Sequence, residues 1–263
     1  MAVSWNPEQY SRFADDRSRP FFDLLARVRI QQPRRIVDLG CGAGALTATL
    51  AQRWPAAKVL GIDSSSDMLA EALAAGQRGD RPTLEWGDIA TWRADPGLDL
   101  VVSNAALQWV PGHLTLLAGW AADLPVGAEM AWQVPGNFDA PSHLLLRELA
   151  ESARWSRQLT GVLRLAQPVA TPHRYAELLL RAGWSADVWE TTYLHVLSGE
   201  NAVLEWVRGT ALRPVLSALD PVDGRRFEQE YASLLRSAYP TTSSGTVFPF
   251  RRIFAVGRKG EAG

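Results

Sequence analysis

Three glycines at alternate positions, Gly40, Gly42 and Gly44, follow the buried-type run Ile36-Val37-Asp38-Leu39. Glycines so spaced let a chain turn sharply out of a strand and let a ligand approach the peptide plane closely. The helix expected next, from about Gly44 to Arg53, offers free N–H groups and a positive dipole end to a negative group. Nineteen positions after Gly44 stands Asp63, at the end of a second apolar run. A carboxylate there can accept hydrogen bonds from both hydroxyls of a ribose; alone it could equally cap the helix that Ser64, Ser65 or Ser66 begins. Together, turn and acid describe a cradle for a nucleoside-bearing cofactor.

Two cofactor classes use such a cradle, nicotinamide or flavin dinucleotides and S-adenosylmethionine. Gly40, Gly42 and Ala45 satisfy the loose dinucleotide pattern G-x-G-x-x-G/A. Asp38 argues against it, because a carboxylate beside the turn repels a pyrophosphate and suits the ammonium of the methionine portion of S-adenosylmethionine. A NAD-dependent oxidoreductase therefore remains the distant alternative, and a non-catalytic cofactor-binding protein a third reading.

The elements needed to position these residues are legible as alternating apolar runs and helical patterns. Strands are expected at Arg35 to Leu39, Lys58 to Ile62, Thr83 to Trp86, Leu98 to Ser103, Ala128 to Val134, Ala186 to Val196 and Phe250 to Arg258. Helices fall between them: one is closed by Pro55, another, Leu114 to Leu124, by Pro125, and residues 142 to 182 read as helical with a break at Pro168 to Pro172. The expected fold class is α/β, a doubly wound, mainly parallel seven-stranded sheet. Residues 1–263 form one domain, with residues 1–32 as a substrate-side arm and a helical cap at 199–240 inserted before the last strand. Open sheets of this kind bind ligands at the carboxyl ends of their strands.

Bulk composition excludes several other classes. The 263 residues carry 27 basic and 28 acidic side chains, a net charge of −1. That balance leaves no basic excess to neutralise phosphates and argues against nucleic acid as a partner. Cys41 is the only cysteine, so neither an intrachain disulfide nor a thiolate-rich metal site can form. No run approaches the roughly 18 apolar residues of a membrane span, and the N-terminal residues lack a signal-type apolar core. A cytoplasmic protein without membrane, metal or obligate protein partner is expected.

The string Asp38-Leu39-Gly40-Cys41-Gly42-Ala43-Gly44 resembles the first motif of the class I S-adenosylmethionine-dependent methyltransferases, D/E-x-G-x-G-x-G. The resemblance implies that Asp88, in Gly87-Asp88-Ile89, holds the adenine amine while Ile89 packs on the ring. It also implies that Asn104, in Ser103-Asn104-Ala105, contacts the methionine portion and faces the acceptor. The product would be S-adenosylhomocysteine. Over nearly the whole chain the sequence is similar to the trans-aconitate methyltransferases. The matching stretches include Trp5-Asn6-Pro7 with Tyr10, Phe13-Ala14, Arg17-Ser18-Arg19-Pro20, Leu107-Gln108-Trp109, Gln133, Pro135, Asn137, Pro141-Ser142-His143, Trp206-Val207, Leu212-Arg213-Pro214 and Arg252-Ile253-Phe254.

The implied acceptor is a small polycarboxylic acid such as trans-aconitate, which is ionised at neutral pH and needs no general base. No catalytic residue is expected beyond orienting groups, and no Ser/His/Asp or Cys/His arrangement is found. Desolvating several carboxylates demands cationic partners, and arginine matches them bidentately. Arg17, Arg19, Arg213 and Arg251 or Arg252 are the candidates, the C-terminal stretch aligning in more than one register, with Gln133, Asn137 and His143 as polar contacts. Another carboxylate, such as a carrier-bound malonyl group, is the alternative acceptor.

Overall fold

A computed structural model of the chain describes residues 14–74, 82–163 and 168–261, less the side chains of residues 14–17 and 73. Its elements, in chain order, are α1 (Ala14–Leu25), β1 (Arg35–Leu39), α2 (Ala45–Arg53), β2 (Lys58–Asp63), α3 (Ser66–Ala74), β3 (Thr83–Trp86), β4 (Leu100–Asn104), α4 (His113–Asp123), β5 (Glu129–Pro135), α5 (Pro141–Glu151), α6 (Ser156–Leu159), α7 (Pro172–Arg181), β6 (Asp187–Leu197), α8 (Ala202–Arg208), α9 (Arg213–Ala218), α10 (Pro221–Ala238) and β7 (Thr246–Arg258). A 3-10 turn, Leu107–Trp109, lies between β4 and α4. The seven strands form one sheet in the order β3-β2-β1-β4-β5-β7-β6. The first five pair in parallel, and β7 runs antiparallel to β5.

By contact density the chain separates into two compact units. The sheet unit comprises Ala14–Pro135, Val169–Thr191 and the chain from Arg252; the helical unit comprises Gly136–Pro168 and Thr192–Arg251. In the sheet unit β1, β4 and β5 are almost wholly buried, as parallel strands covered on both faces must be. One face packs Trp120, Trp132, Tyr175 and Leu179 into a common core. On the other, α1 lies against β5. Helix ends obey the prolines: Trp54 and Leu124, each preceding one, leave the helical conformation.

In the helical unit Trp155, Leu212, Phe227, Tyr231 and Phe248 form a second core. The Tyr231 hydroxyl donates to the Ser142 carbonyl at 2.6 Å, and the Ser142 N–H donates to the Tyr239 hydroxyl at 3.0 Å. These bonds tie the start of α5 to the end of α10. Asp220 caps α10 by accepting from Val222 and Asp223, with Pro221 at the first helical position.

Most boundaries fall within two residues of the sequence reading; two differ more. The segment expected to be helical over 142–182 is broken at Ser152, whose extended backbone ends α5. Strand β7 begins four residues earlier than expected, at Thr246. Pro249 reads locally as a strand breaker, but its side chain sits on the exposed face of β7 between buried Phe248 and partly buried Phe250.

Candidate functional site

The chain proceeds β1-β2-β3 to one side and β4-β5 to the other, so β1 and β4 flank a topological switch point. Crevices open there at the carboxyl ends of the strands. The glycine turn lies at the end of β1. The N–H groups of Gly40 and Cys41 donate to the Ile62 carbonyl at 2.8 and 3.1 Å, holding the turn against β2. Gly40 has φ +81°, and a side chain on it would collide with the Cβ of Ala106 beyond β4. Gly42 also has positive φ, +56°, yet nothing lies within 4 Å of where its Cβ would be. One glycine is needed for close packing, the other leaves open space above the turn. Gly44, at φ +75°, caps α2.

Asp63, at the end of β2, accepts the Gly42 N–H on Oδ2 and the Ser65 N–H on Oδ1, both at 2.8 Å. It thus joins the turn to α3, which Ser65 itself caps by accepting the Met68 N–H at 3.3 Å. Asp38 is 2% exposed, and the Thr47 hydroxyl donates to its Oδ2 at 2.6 Å. Burial pushes the Asp38 carboxyl up to about 6; the Thr47 bond opposes that rise and the nearby Asp63 charge adds to it. Burial likewise pushes the Cys41 thiol up, so it remains a thiol. Asp88 is exposed and accepts the Ala90 N–H at 2.8 Å, whereas Ile89 is buried beside Gly40.

Asn104 and Gln133 are direct neighbours across the β4–β5 pairing, and Ser103 ties β4 to the turn by donating to the Leu39 carbonyl at 2.8 Å. Gln133 is wholly buried; its Oε1 accepts from Arg252 Nη1 at 3.2 Å. Among the described residues neither Asn104 Oδ1 nor Gln133 Nε2 has a hydrogen-bond partner, although both atoms are buried. Buried polar groups are nearly always paired, so an acceptor and a donor left open side by side mark a place for a polar ligand.

The structure separates the two arginines that the sequence left in alternate registers. Arg252 pairs opposite Pro135 and is 5% exposed, on the strand face that carries Gln133. Arg251 belongs to the helical unit, where it reaches Asp139 at 3.3 Å with its side chain 38% exposed.

Also in the helical unit, both side-chain polar atoms of buried Asn137 lack a partner among the described residues. His143 packs edge-on to Phe138, with Nδ1 3.3 Å from the Ser142 hydroxyl. Burial, with the Arg147 charge, drives its pKa down to about 4, so the ring is neutral at pH 7. Arg213 is half-buried at the first position of α9.

In the sheet unit Arg19 is on an exposed face of α1, 3.8 Å from Asp23. The Arg17 side chain lies outside the described residues, as do Trp5 to Tyr10 and Phe13. Two contacts had no signature in the sequence: Thr47 on Asp38, and the Gln108 amide on the Ala105 carbonyl.

The turn, Asp63, Ile89, Asn104, Gln133 and Arg252 are thus linked in series along the carboxyl edge of one sheet. That edge and its strand order define a protein of the methyltransferase class of doubly wound α/β folds. A model of the methyltransferase domain matches residues 36–124. The trans-aconitate 2-methyltransferases of Streptomyces avermitilis and Streptomyces coelicolor are each 54% identical to the chain, over 97% and 99% of it and 97% and 88% of their own lengths. That of Mycobacterium marinum is 49% identical over 98% of the chain and 97% of its own.

The chain belongs to the trans-aconitate 2-methyltransferase family. Solved structures agree on the fold: YcgJ of Bacillus subtilis, at 12% identity, superposes with a TM-score of 0.57 over 92% of this chain and 98% of its own. The phosphoethanolamine N-methyltransferase 2 of Haemonchus contortus, at 16%, gives 0.53 over 92% and 53%.

Proposed function

We propose that the chain transfers a methyl group from S-adenosylmethionine to a carboxylate of trans-aconitate, giving the monomethyl ester and S-adenosylhomocysteine. The observation that carries this reading is the pair of open polar atoms on Asn104 and Gln133, beside the Arg252 guanidinium and in line with the glycine turn. The residues present fit the donor: open space over Gly42, a carboxylate at Asp63 for ribose hydroxyls and one at Asp38 for an ammonium. Asp88 and Ile89 take the adenine in this reading. When bound, S-adenosylmethionine supplies an electrophilic methyl on a sulfonium.

The protein's part is orientation and charge. A carboxylate nucleophile is already ionised at neutral pH, so no side chain has to remove a proton. Holding it in line is worth up to roughly 7–11 kcal/mol in favourable cases. Arg252, rather than Arg251, and Gln133 present donors to one carboxylate; Arg213, Asn137, His143 and, on the arm, Arg17 and Arg19 are proposed for the remaining acceptor groups. Residues 1–32 and 199–240 are the acceptor-side segments of a single catalytic domain in this reading. No helix among the described residues is long and apolar enough to cross a membrane. A cytoplasmic setting with a free small acid suits that reading.

Purified protein supplied with methyl-labelled S-adenosylmethionine and a panel of small acids provides the test. Labelled trans-aconitate ester is expected. Turnover of another acid or of a malonyl carrier, with none of aconitate, overturns the acceptor. Within that assay Arg213→Ala is expected to raise the KM for aconitate about tenfold, one charge-assisted bond being worth ~1.5–3 kcal/mol. The Kd for S-adenosylhomocysteine should stay within twofold, and an unfolded variant would assign Arg213 a structural role instead.

The Asp38 carboxyl predicts a pH dependence. Its raised pKa means the neutral form is the one the empty fold favours, and that contribution to stability is lost as pH rises through about 6. An ammonium pairs only with the ionised form, so affinity for S-adenosylhomocysteine should rise over the same interval. Binding at pH 5 is expected to be about tenfold weaker than at pH 7, levelling off above, with Asp38→Asn giving a flat profile. Affinity that falls as pH rises from 5 to 7 would contradict the assignment.

A further inference from the structure

We infer that Gln108 is a positioning residue for methyl transfer, acting by clamping Ala105 in a left-handed backbone conformation that aims the Asn104 side chain into the site. The inference rests on the function proposed above and concerns the sheet unit alone.

Among the described residues Ala105 is the only one other than glycine with positive φ, +54°. In that region Cβ crowds the residue's own carbonyl oxygen, and a non-glycine residue stays there only when its surroundings hold it. Two bonds do so. The Ala105 N–H donates to the Gln133 carbonyl at 2.9 Å, and the Ala105 carbonyl accepts Gln108 Nε2 at 2.5 Å. The first continues the β4–β5 ladder and holds the N–H side, so it weakens if the Asn104–Ala105 peptide turns. Only the second specifies the left-handed turn. Gln108 is itself buried at 8% exposure, inside the turn Leu107–Trp109, so its amide has little freedom to leave.

The conformation has consequences on both sides. Behind it, Asn104 is kept as the last residue of β4, in register with Gln133, with its buried Oδ1 open. Ahead of it, Ala106 is brought against Gly40 so closely that Gly40 tolerates no Cβ. Because Ala106 is held against Gly40, relaxation of Ala105 to negative φ would have to be taken up by the Asn104–Ala105 peptide, shifting the Oδ1 acceptor relative to Gln133 Nε2. Strained residues gather where geometry matters more than stability, and here the strain lies beside the open pair.

Gln108→Met keeps the length of the side chain and removes the donor. It is expected to lower kcat for aconitate on the order of 100-fold, as a displacement near 1 Å can, with the Kd for S-adenosylhomocysteine changed less than threefold. Adding Ala105→Gly supplies a residue that adopts positive φ without a clamp. The double variant should therefore recover at least tenfold in kcat over Gln108→Met.

Amide exchange at position 105 gives a reading independent of turnover: protection should fall in Gln108→Met and return in the double variant. Unchanged kcat in Gln108→Met, or a loss that Ala105→Gly does not relieve, overturns the inference. If Gln108→Met does not fold, Ala105→Gly must restore folding by circular dichroism, and failure to do so overturns it equally. Absence of aconitate turnover by the wild type would sink the acceptor assignment instead, leaving the exchange pattern at position 105 to judge the clamp.

Discussion

Asp63→Ala is expected to weaken S-adenosylhomocysteine binding by about 3 kcal/mol or more, roughly 100-fold in Kd. A ribose contact alone would be worth less. Asp63 accepts the Gly42 and Ser65 N–H groups within the protein, so its removal strips two backbone donors of their acceptor. Each donor left unpaired in a partly buried site costs on the order of 1–3 kcal/mol of local stability, and binding must then reorder the loosened turn in addition to losing the ribose contacts. Much of the loss arises because the glycine turn is no longer pinned to the end of β2. Asp63→Asn, which keeps one acceptor oxygen, should fall between wild type and alanine. Calorimetry on folded protein reads the effect; a Kd for the alanine variant within threefold of wild type removes Asp63 from the cofactor site.

Arg252→Met should raise the KM for aconitate by 100-fold or more while cofactor binding holds near wild type. The guanidinium is buried and its Nη1 donates to Gln133 Oε1. Methionine fills much of the same volume without charge or donors. The acceptor then loses up to two charge-assisted bonds at ~1.5–3 kcal/mol each, and Gln133 loses the donor that orients its amide. The neighbouring Arg251→Met is the internal comparison. Arg251 faces Asp139 with its side chain well exposed, a setting in which ion pairs contribute about 0–1 kcal/mol, so its KM should move less than tenfold. A larger effect at Arg251 than at Arg252 would reverse the assignment.

The sequence by itself determined the sheet and the strand-end motifs along its carboxyl edge. Each of those signals is local: a β-branched run, glycines at alternate positions, an acid at a strand end, a serine one turn before Leu69. Parallel strands carry their carboxyl ends to one edge, so ordered strand-end motifs become neighbours in space without any knowledge of packing. The family-like stretches from Trp5 to Phe254 added the acceptor class in the same way, residue by residue.

Tertiary structure alone decided what depends on pairing register and burial. Arg251 and Arg252 are equivalent as letters; the antiparallel register of Arg252 opposite Pro135 sends one to Gln133 and the other toward Asp139, because successive side chains leave a strand on opposite faces. Trp132, one position off the face that carries Gln133, packs edge-on to Tyr175 in the core. Thr47 meets Asp38 only because α2 packs back on the sheet, and the Gln108 amide and the left-handed Ala105 after β4 go together. Such contacts depend on where the backbone has already been placed, information that residue type and spacing do not hold.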